Sequence, residues 1–331
     1  MTGLTFVDVC SGAGGLALGL ERAGFEPRLL LDEDADACAT LRANRPHWNV
    51  FRTDLLDFDP SEHPESHDVD LLSAGLPRVR SDATARRVDS GLEEQLLRAA
   101  IYLAHGIRPR AILIENVPQL AHSSDHESFR EFAFAELVHL GYEPDWSVVN
   151  ALDFGVAQSR RHGVLVAVER RCAPAFRFPA PTVDGPRTVG DVLRPSMAAR
   201  GWPDASRWAA QADQPAPTLV GGSKNRGGAD LGPTRAKQKW ATMGVNAHTL
   251  GDEVPGPDFV WDPGLGRNNM VKITAEQAAL LQGFPTTWQI TGRKTARYRQ
   301  VGHATPPPVA EALGRAVAEA LCGEPVATAA G

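Results

Sequence analysis

The stretch from Val69 to Arg80 has the layout of a site that presents reactive side chains. Its first residues, Val-Asp-Leu-Leu-Ser, are a short apolar run that predicts a buried strand, and Gly75 and Pro77 then break the strand into a loop. In an open α/β sheet, ligands bind at the loops that follow the carboxyl ends of the strands. Arg78 lies in this loop, and its guanidinium stays protonated and has no lone pair to offer.

A glycine-rich loop near the N-terminus is a candidate cofactor site. The apolar run from Leu4 to Val9 predicts a strand, the loop Cys10-Ser-Gly-Ala-Gly-Gly15 follows, and the leucines from residue 16 to 20 predict a helix. This arrangement brings backbone N–H groups and a helix N-terminus close to a bound cofactor. The same arrangement also serves ordinary packing, so this segment by itself leaves both interpretations open.

Acidic residues follow the next two predicted strands. The strand Leu29 to Leu31 runs into Asp32-Glu33-Asp34, and a carboxylate there can accept hydrogen bonds from the two hydroxyls of a ribose. The alternative is that these three acids occupy a solvated helix start, where the helix dipole favours them. Asp32 is the preferred candidate. Asp54 follows the strand at residues 50–51 and can reach an adenine amino group.

Composition describes an ordinary globular protein. The chain has 331 residues, 43% hydrophobic and 22% charged, and no apolar run of membrane-spanning length or signal-peptide layout, so a cytoplasmic location is expected. A net charge of −6 is untypical of proteins that coat DNA, but a DNA enzyme needs only a basic cleft. The four cysteines form no Cys-x-x-Cys pair, so we expect reduced thiols and no metal site.

Strands alternate with helical segments through the first 170 residues, which predicts a doubly wound α/β sheet. Leu92, Leu96, Ala99 and Leu103 have the spacing of one apolar helix face. Periodicity weakens from about Arg170 to Asn269, where Pro, Gly and Trp become frequent. We therefore predict a main domain of residues 1–170 and 271–323, and a small loop-rich second domain of residues 171–270.

A basic, glycine-rich patch lies inside the predicted second domain. It has only Asp230 to oppose it, and its cations are Lys224, Arg226, Arg235, Lys237 and Lys239. A solvated charge run is the ordinary interpretation of such a segment. The accompanying glycines favour backbone that approaches a ligand closely, as in contact with DNA phosphates or a groove.

The ordered set of motifs resembles that of the cytosine-C5 DNA methyltransferases along nearly the whole chain. The matching segments are Asp8 to Gly15, Asp32, Asp54-Leu55, Glu115-Asn-Val117, Gln158 with Arg160 and His162, Glu276 to Pro285, and Gly302 to Pro307. Three departures stand out: Cys10 occupies a position where Phe is common, His162 replaces an arginine, and His303 replaces an asparagine. In the nucleophile loop, the family has Pro-Pro-Cys-Gln, and this chain has Leu76-Pro-Arg-Val79.

The resemblance implies a Rossmann-like methyltransferase fold, S-adenosylmethionine as the methyl donor, duplex DNA in a cleft, and a flipped cytosine. It implies a role in restriction-modification and places the basic patch in the target-recognition domain. Arg78 then stands at the nucleophile position, with Glu115, Arg160 and His162 as the remaining catalytic candidates. The implied cofactor-binding residues are Cys10, Gly12, Ala13, Gly14, Gly15, Asp32, Glu33, Asp54, Leu55, His303 and Ala304.

The loss of the cysteine gives three functional hypotheses. The first is a DNA-binding pseudoenzyme that keeps the fold and the cofactor but lacks covalent C5 chemistry, because Arg78 cannot act as a thiolate. The second is an active enzyme that methylates a base nitrogen, although the loop typical of that reaction is missing. The third is a partner or regulatory subunit of another protein. Arg78 itself is expected to pair with Glu115, or alternatively to contact a phosphate or base.

Overall fold

The computed structural model describes residues 3–79, 90–221 and 229–323. Its strands are β1 (Leu4–Val9), β2 (Phe25–Asp32), β3 (Val50–Arg52), β4 (Leu71–Gly75), β5 (Ala111–Asn116), β6 (Tyr142–Asn150) and β7 (Arg161–Glu169). Its helices are α1 (Gly15–Arg22), α2 (Ala35–Asn44), α3 (Ser90–Ile107), α4 (Pro118–His122), α5 (Glu127–His139), α6 (Val189–Ala198), α7 (Ala205–Gln211), α8 (Thr234–Thr242), α9 (Ala275–Leu281), α10 (Lys294–His303) and α11 (Pro307–Cys322). Short 3-10 turns connect several of these elements.

These strands form one sheet in the order β3-β2-β1-β4-β5-β7-β6. The first five strands of that order run parallel, and β7 pairs antiparallel with β5. Strand order reverses between β1 and β4, so the loops after these two strands flank the crevice where open α/β sheets bind ligands. The predicted doubly wound α/β fold is confirmed.

Apolar strands and helix faces build the core of the sheet. β5 and β7 are buried almost throughout, as expected for strands covered by helices on both faces. The apolar side chains of α3 and α5 pack onto the sheet. The apolar face assigned to α3 from sequence is wrong at its start, because Leu92 is 49% exposed whereas Leu96 and Leu103 are buried.

The described contacts divide the chain into two compact units. The first contains Met1–Val149, Arg161–Ala180 and Val309–Gly331, and the second contains Asn150–Arg160 and Pro181–Pro308. This division differs from the sequence-based boundaries, because residues 271–308 belong to the second unit. There α9 packs against α6 and α10.

The second unit is more regular than its sequence suggests. The region predicted to be loop-rich contains α6, α7 and α8, and its tryptophans provide much of the core, with Trp208 and Trp240 fully buried. Because these large side chains are widely spaced in the sequence, they produce no helical or strand periodicity. At the start of α9, Thr274 and Gln277 form a reciprocal capping box.

Candidate active and cofactor sites

The loop that follows β4 is held by one side chain, Asn116, at the end of β5. Asn116 Oδ1 accepts a hydrogen bond from the backbone N–H of Val79 at 3.1 Å. Its Nδ2 donates to the carbonyl of Pro77 at 3.1 Å and to that of Leu76 at 3.4 Å. Asn116 is 1% exposed, so these bonds form in a water-poor environment. The backbone on both sides of residue 78 is therefore fixed by the sheet.

Arg78 lies on this fixed loop and is half-buried. No hydrogen bond or ion pair joins its guanidinium to another described residue. The expected pairing of Arg78 with Glu115 is not found: the Glu115 carboxylate instead contacts the His162 ring. The prediction failed because it took no account of strand register. The register of β5 and β7 brings His162, on the neighbouring strand, to the Glu115 carboxylate.

The Glu115–His162 pair is buried at the carboxyl end of β5, where β7 begins. Glu115 is opposite Val164 in the antiparallel ladder, so His162 lies diagonally across on the same face. His162 Nδ1 is 2.6 Å from Glu115 Oε1, and the two residues are 0% and 4% exposed. The other ring nitrogen of His162, Nε2, is buried and has no hydrogen-bond partner among the described residues. It is the polar atom of this pair that remains available to a ligand.

The glycine-rich loop after β1 is organised by Asp32. Asp32 Oδ2 accepts a hydrogen bond from the backbone N–H of Gly12 at 2.7 Å, and Oδ1 accepts one from that of Asp34 at 2.8 Å. Gly12 has a φ of 53°, and open space lies where a Cβ would project. Helix α1 then begins after Gly14 with no side-chain cap. The loop thus offers a helix N-terminus beside a fixed carboxylate.

Four carboxylates lie near the end of β1. Burial is the main cause that raises the pKa of the Cys10 thiol well above its ordinary value, and the negative charges of Asp32, Asp8, Glu33 and Asp54 raise it further. The Cys10 side chain is consequently a thiol, not a thiolate, at neutral pH. The same negative potential would stabilise a bound cation such as a sulfonium or an ammonium group.

The remaining predicted cofactor residues occupy varied positions. Asp54 is exposed and uses Oδ1 to accept from the backbone N–H of Leu56 at 2.9 Å, while Leu55 is buried. His303 and Ala304 lie at the end of α10 in the second unit, so their contact with a cofactor stays a prediction. Ala13, Gly14 and Gly15 lie in the loop as expected, and α1 begins at Gly15.

Arg160 and Gln158 take part in a buried hydrogen-bond network of the second unit. Arg160 Nη1 donates to the carbonyl of Gly302 at 2.8 Å. Gln158 Nε2 donates to Gln282 Oε1 at 2.7 Å, and Gln282 Nε2 donates to the carbonyl of Val301 at 2.7 Å. The Nε and Nη2 atoms of Arg160 are buried and have no hydrogen-bond partner among the described residues. Arg160 therefore both supports the backbone and keeps donors for a ligand.

The predicted DNA-binding cations fall into three groups. Lys224 and Arg226 lie outside the described residues. Arg235 and Lys239 are exposed on α8. Lys237 is half-buried and forms an ion pair with Asp230 at 2.7 Å.

A comparison of the sequence with protein families identifies the family of this chain. The model of the C-5 cytosine-specific DNA methylase family matches residues 4–319. The chain belongs to this family. In this chain, the loop after β4 contains Arg78 and is hydrogen-bonded by Asn116.

Two curated members of the DNA methylase family illustrate the similarity. The type II methyltransferase M.NaeI of Lentzea aerocolonigenes is 43% identical over 325 residues, which cover 97% of this chain and 76% of that protein. The type II methyltransferase M.NgoMIV of Neisseria gonorrhoeae is 37% identical over 326 residues, covering 96% and 98%. Each of these type II methyltransferases is similar to this chain over nearly all of its length.

Solved structures support the methylase fold independently. The Entamoeba histolytica methyltransferase EhMeth superposes with a TM-score of 0.65 at 14% identity, covering 97% of this chain and 99% of that one. The Dnmt2 methyltransferase of S. pombe gives 0.62 at 16% identity, covering 94% and 96%.

Residues 3–79, 90–221 and 229–323 contain no group of three or more His, Cys, Asp or Glu side chains arranged to hold a metal ion. Within those same ranges, none of the helices combines the length and the apolar character that crossing a membrane requires.

Sequence reasoning missed two roles in this site. It matched Asn116 to a motif without assigning it the support of the 76–79 loop, and it did not consider Ser73, which hydrogen-bonds Asp8 under the cofactor loop. The signal for Asn116 was present, because an amide directly at a strand end can hydrogen-bond a neighbouring loop. Ser73 gave no such signal within an apolar strand.

Proposed function

We propose that this protein binds S-adenosylmethionine and duplex DNA but does not methylate cytosine at C5 through a covalent adduct. The observation that carries the proposal is Arg78 on the loop that Asn116 holds. Carbon 5 of cytosine is a poor nucleophile until a thiolate adds to carbon 6 and makes an enamine. A guanidinium has no lone pair with which to add, so the step that activates the base has no nucleophile at this position.

The cysteines present elsewhere do not offer a substitute. Cys10 has a raised pKa, and its immediate surroundings are acidic. Cys38 is buried in α2, and burial raises the pKa of its thiol as well. Cys172 and Cys322 lie near Arg110, at the amino end of β5, whereas the 76–79 loop follows the carboxyl end of the parallel strand β4. These four residues are the only cysteines in the sequence.

The cofactor part of the proposal rests on the β1 loop. The Asp32 carboxylate accepts hydrogen bonds from two backbone N–H groups, and its oxygens have further lone pairs that can accept from ribose hydroxyls. Open space above Gly12 and the nearby carboxylates suit a cationic ligand. S-adenosylmethionine, when bound, supplies an electrophilic methyl group. Asp32, Gly12 and Glu33 would hold and orient it.

The decisive experiment is covalent trapping on a duplex that contains 5-fluorocytosine, with S-adenosylmethionine present. We expect no adduct from the natural protein and none from Arg78→Ser, which cannot supply a thiolate. Arg78→Cys is expected to form an adduct, because Asn116 already positions residue 78. Arg78→Cys combined with His162→Arg should give a higher yield, since it also restores the arginine that the family has there.

Tritiated S-adenosylmethionine distinguishes the remaining alternatives. Label recovered on a base nitrogen would show thiolate-free methyl transfer. DNA binding without cofactor binding would favour a regulatory or partner role. A covalent adduct, or C5-methylcytosine, formed by the natural protein would refute the proposal.

A further inference from the structure

Helix α8 presents one entirely polar, basic face to solvent. Thr234, Arg235, Gln238, Lys239 and Thr242 are its exposed residues. The last four have the spacing i, i+3, i+4, i+7, which places them along one side of the helix. This face contains two cations, one amide and a hydroxyl, and no acidic or large apolar side chain. We call these four residues the α8 face.

The opposite side of α8 fixes the helix to the second unit. Trp240 is fully buried, and Lys237 pairs with Asp230 at 2.7 Å. Both residues point away from the α8 face by helical spacing. The helix therefore has little freedom to rotate. Packing of its opposite side keeps the α8 face exposed to solvent.

The cations of the α8 face differ in their pairing from several others in the second unit. Several cations of that unit form ion pairs, namely Arg200 with Glu253, Arg207 with Asp204, Lys237 with Asp230, Lys294 with Asp252, and Arg297 with Glu276. Arg235 and Lys239 have no ion-pair partner among the described residues. They lie four residues apart, where like charges repel each other, and Arg235 is in the first turn, where the helix dipole disfavours a cation.

Folding therefore gains nothing from this arrangement of charges, and the unpaired cations point to an external anion. We propose that the α8 face docks in a groove of duplex DNA, with Arg235 and Lys239 on the phosphate backbone and Gln238 at a base edge. This inference rests on the proposed DNA binding and deepens it, since it names the element and residues that contact the duplex. Lys237, a candidate by sequence, is excluded from the contact set.

Duplex DNA is the anion that this face fits. An α-helix can enter the major groove, where the Gln amide can bond both N6 and N7 of adenine. Both cations lie on the same side of that amide around the helix, where they can reach phosphates along one rim of the groove. A protein partner would require apolar anchors at the centre of the interface, and the α8 face has none.

The first test measures binding to a pool of duplexes randomised at their central positions, as a function of salt. Arg235→Ala and Lys239→Ala should each weaken binding about three- to tenfold, and each should reduce the log–log salt slope by about one. Lys237→Ala is the matched control. It removes one positive charge from the same helix, but from the side that packs against the protein, so it should leave the salt slope unchanged. Melting temperatures should not fall for the two exposed variants, because each removes a charge that repels its neighbour on the helix.

The second test selects preferred sequences from the same pool with the natural protein and with Gln238→Ala. The variant should lose preference at one base pair, by about tenfold, with affinity for non-specific duplex retained. Equal losses for Lys237→Ala, Arg235→Ala and Lys239→Ala would indicate a bulk charge effect and overturn the inference. Unchanged binding in Arg235→Ala and Lys239→Ala would also overturn it while leaving the proposed function intact. Failure of the natural protein to bind any duplex would instead refute the proposed function, and this inference with it.

Discussion

Asp8 is a buried carboxyl group at the centre of the parallel sheet. Ser73 Oγ on the adjacent strand donates to Asp8 Oδ1 at 2.6 Å, and Oδ2 has no hydrogen-bond partner among the described residues. Burial raises the pKa of Asp8 from 3.8 to about 7, against the lowering effect of hydrogen bonds from Ser73 and Ser11. The charge of Asp32 raises it further. Asp8 is therefore a proton-binding residue next to the cofactor loop.

This raised pKa predicts that stability falls as pH rises. Below about pH 4, Asp8 is protonated in both the folded and the unfolded chain, and the stabilisation of the neutral form is fully present. Between pH 4 and pH 7 only the folded state keeps the proton, so the free energy of unfolding decreases, by up to about 4 kcal/mol from this group. Above pH 7 the contribution is lost.

Asp8→Asn should remove most of this pH dependence, because an amide is neutral throughout the range. Urea unfolding at pH 5 and at pH 8 measures the difference for each protein. Asp57→Asn, a change at an exposed carboxylate, serves as the control and should keep the natural slope. A natural slope retained by Asp8→Asn would show that other groups carry the pH dependence.

At the level of single residues, the sequence predicted which residues lie at strand ends better than it predicted which side chains contact each other. Asp32 and Asp54 lie at strand ends as expected, because strand termination by polar residues is a local property. The partner of Glu115 was mistaken, since His162 reaches it only through the antiparallel register of β5 and β7. Cross-strand neighbours depend on register, and no local pattern near residue 115 encodes it.

At the level of elements, β1 lies where its apolar run predicted a strand, and β2 and β3 contain the segments predicted for them. β4 begins two residues later than predicted, at Leu71, although Val69 is also buried. Its apolar run therefore marked burial, not hydrogen bonding in the ladder. Helices α6, α7 and α8 were not predicted. Trp208 and Trp240 are the only large apolar side chains buried within α7 and α8, and a proline, Pro195, lies inside α6.

Helix α10 approaches neighbouring backbone at Gly302, and this contact depends on the absence of a side chain. A Cβ at residue 302 would lie 2.2 Å from the backbone of Gly221. Since backbone cannot move aside as a side-chain tip does, Gly302→Ala should lower the free energy of unfolding by about 3 kcal/mol or more. Thermal or urea unfolding measures this loss.

Gly256→Ala is the matched control for that prediction. Gly256 has open space where a Cβ would project. The change should therefore affect stability by less than about 1 kcal/mol. Equal stability of the two variants would mean that α10 can shift away from residues 220–221 at little cost.

At the scale of the whole molecule, the two units carry different parts of the proposed function. The cofactor loop, Arg78 and the Glu115–His162 pair belong to the first unit, and the α8 face belongs to the second. The boundaries could not be obtained from sequence, because residues 271–308 return to helical regularity and so resemble the main domain. Their packing against α6 is a long-range contact with no local signature.

Binding of the cofactor to the first unit can be tested through its effect on the stability of the protein. A ligand that binds only the folded state stabilises it by about 2.7 kcal/mol at a free concentration of 100 times its Kd. S-adenosylmethionine should therefore raise the unfolding temperature of the natural protein, whether or not Arg78 prevents covalent chemistry as proposed. Asp32→Asn should abolish most of that rise, because a neutral amide loses charge complementarity and, by presenting an N–H₂ in place of one oxygen, can accept from only one of the two backbone N–H groups.

Asp57→Asn provides the comparison, since it removes one negative charge from an exposed position after β3 and should retain the full temperature rise. Differential scanning calorimetry with increasing S-adenosylmethionine gives the shift for each protein. If Asp32→Asn shows the natural shift, the cofactor is held elsewhere than at the β1 loop. The natural protein could instead show no shift while still binding duplex DNA. That result would mean that it recognises DNA without binding the methyl donor. The hypothesis of a regulatory subunit would then explain the presence of Arg78 better than the proposed function does.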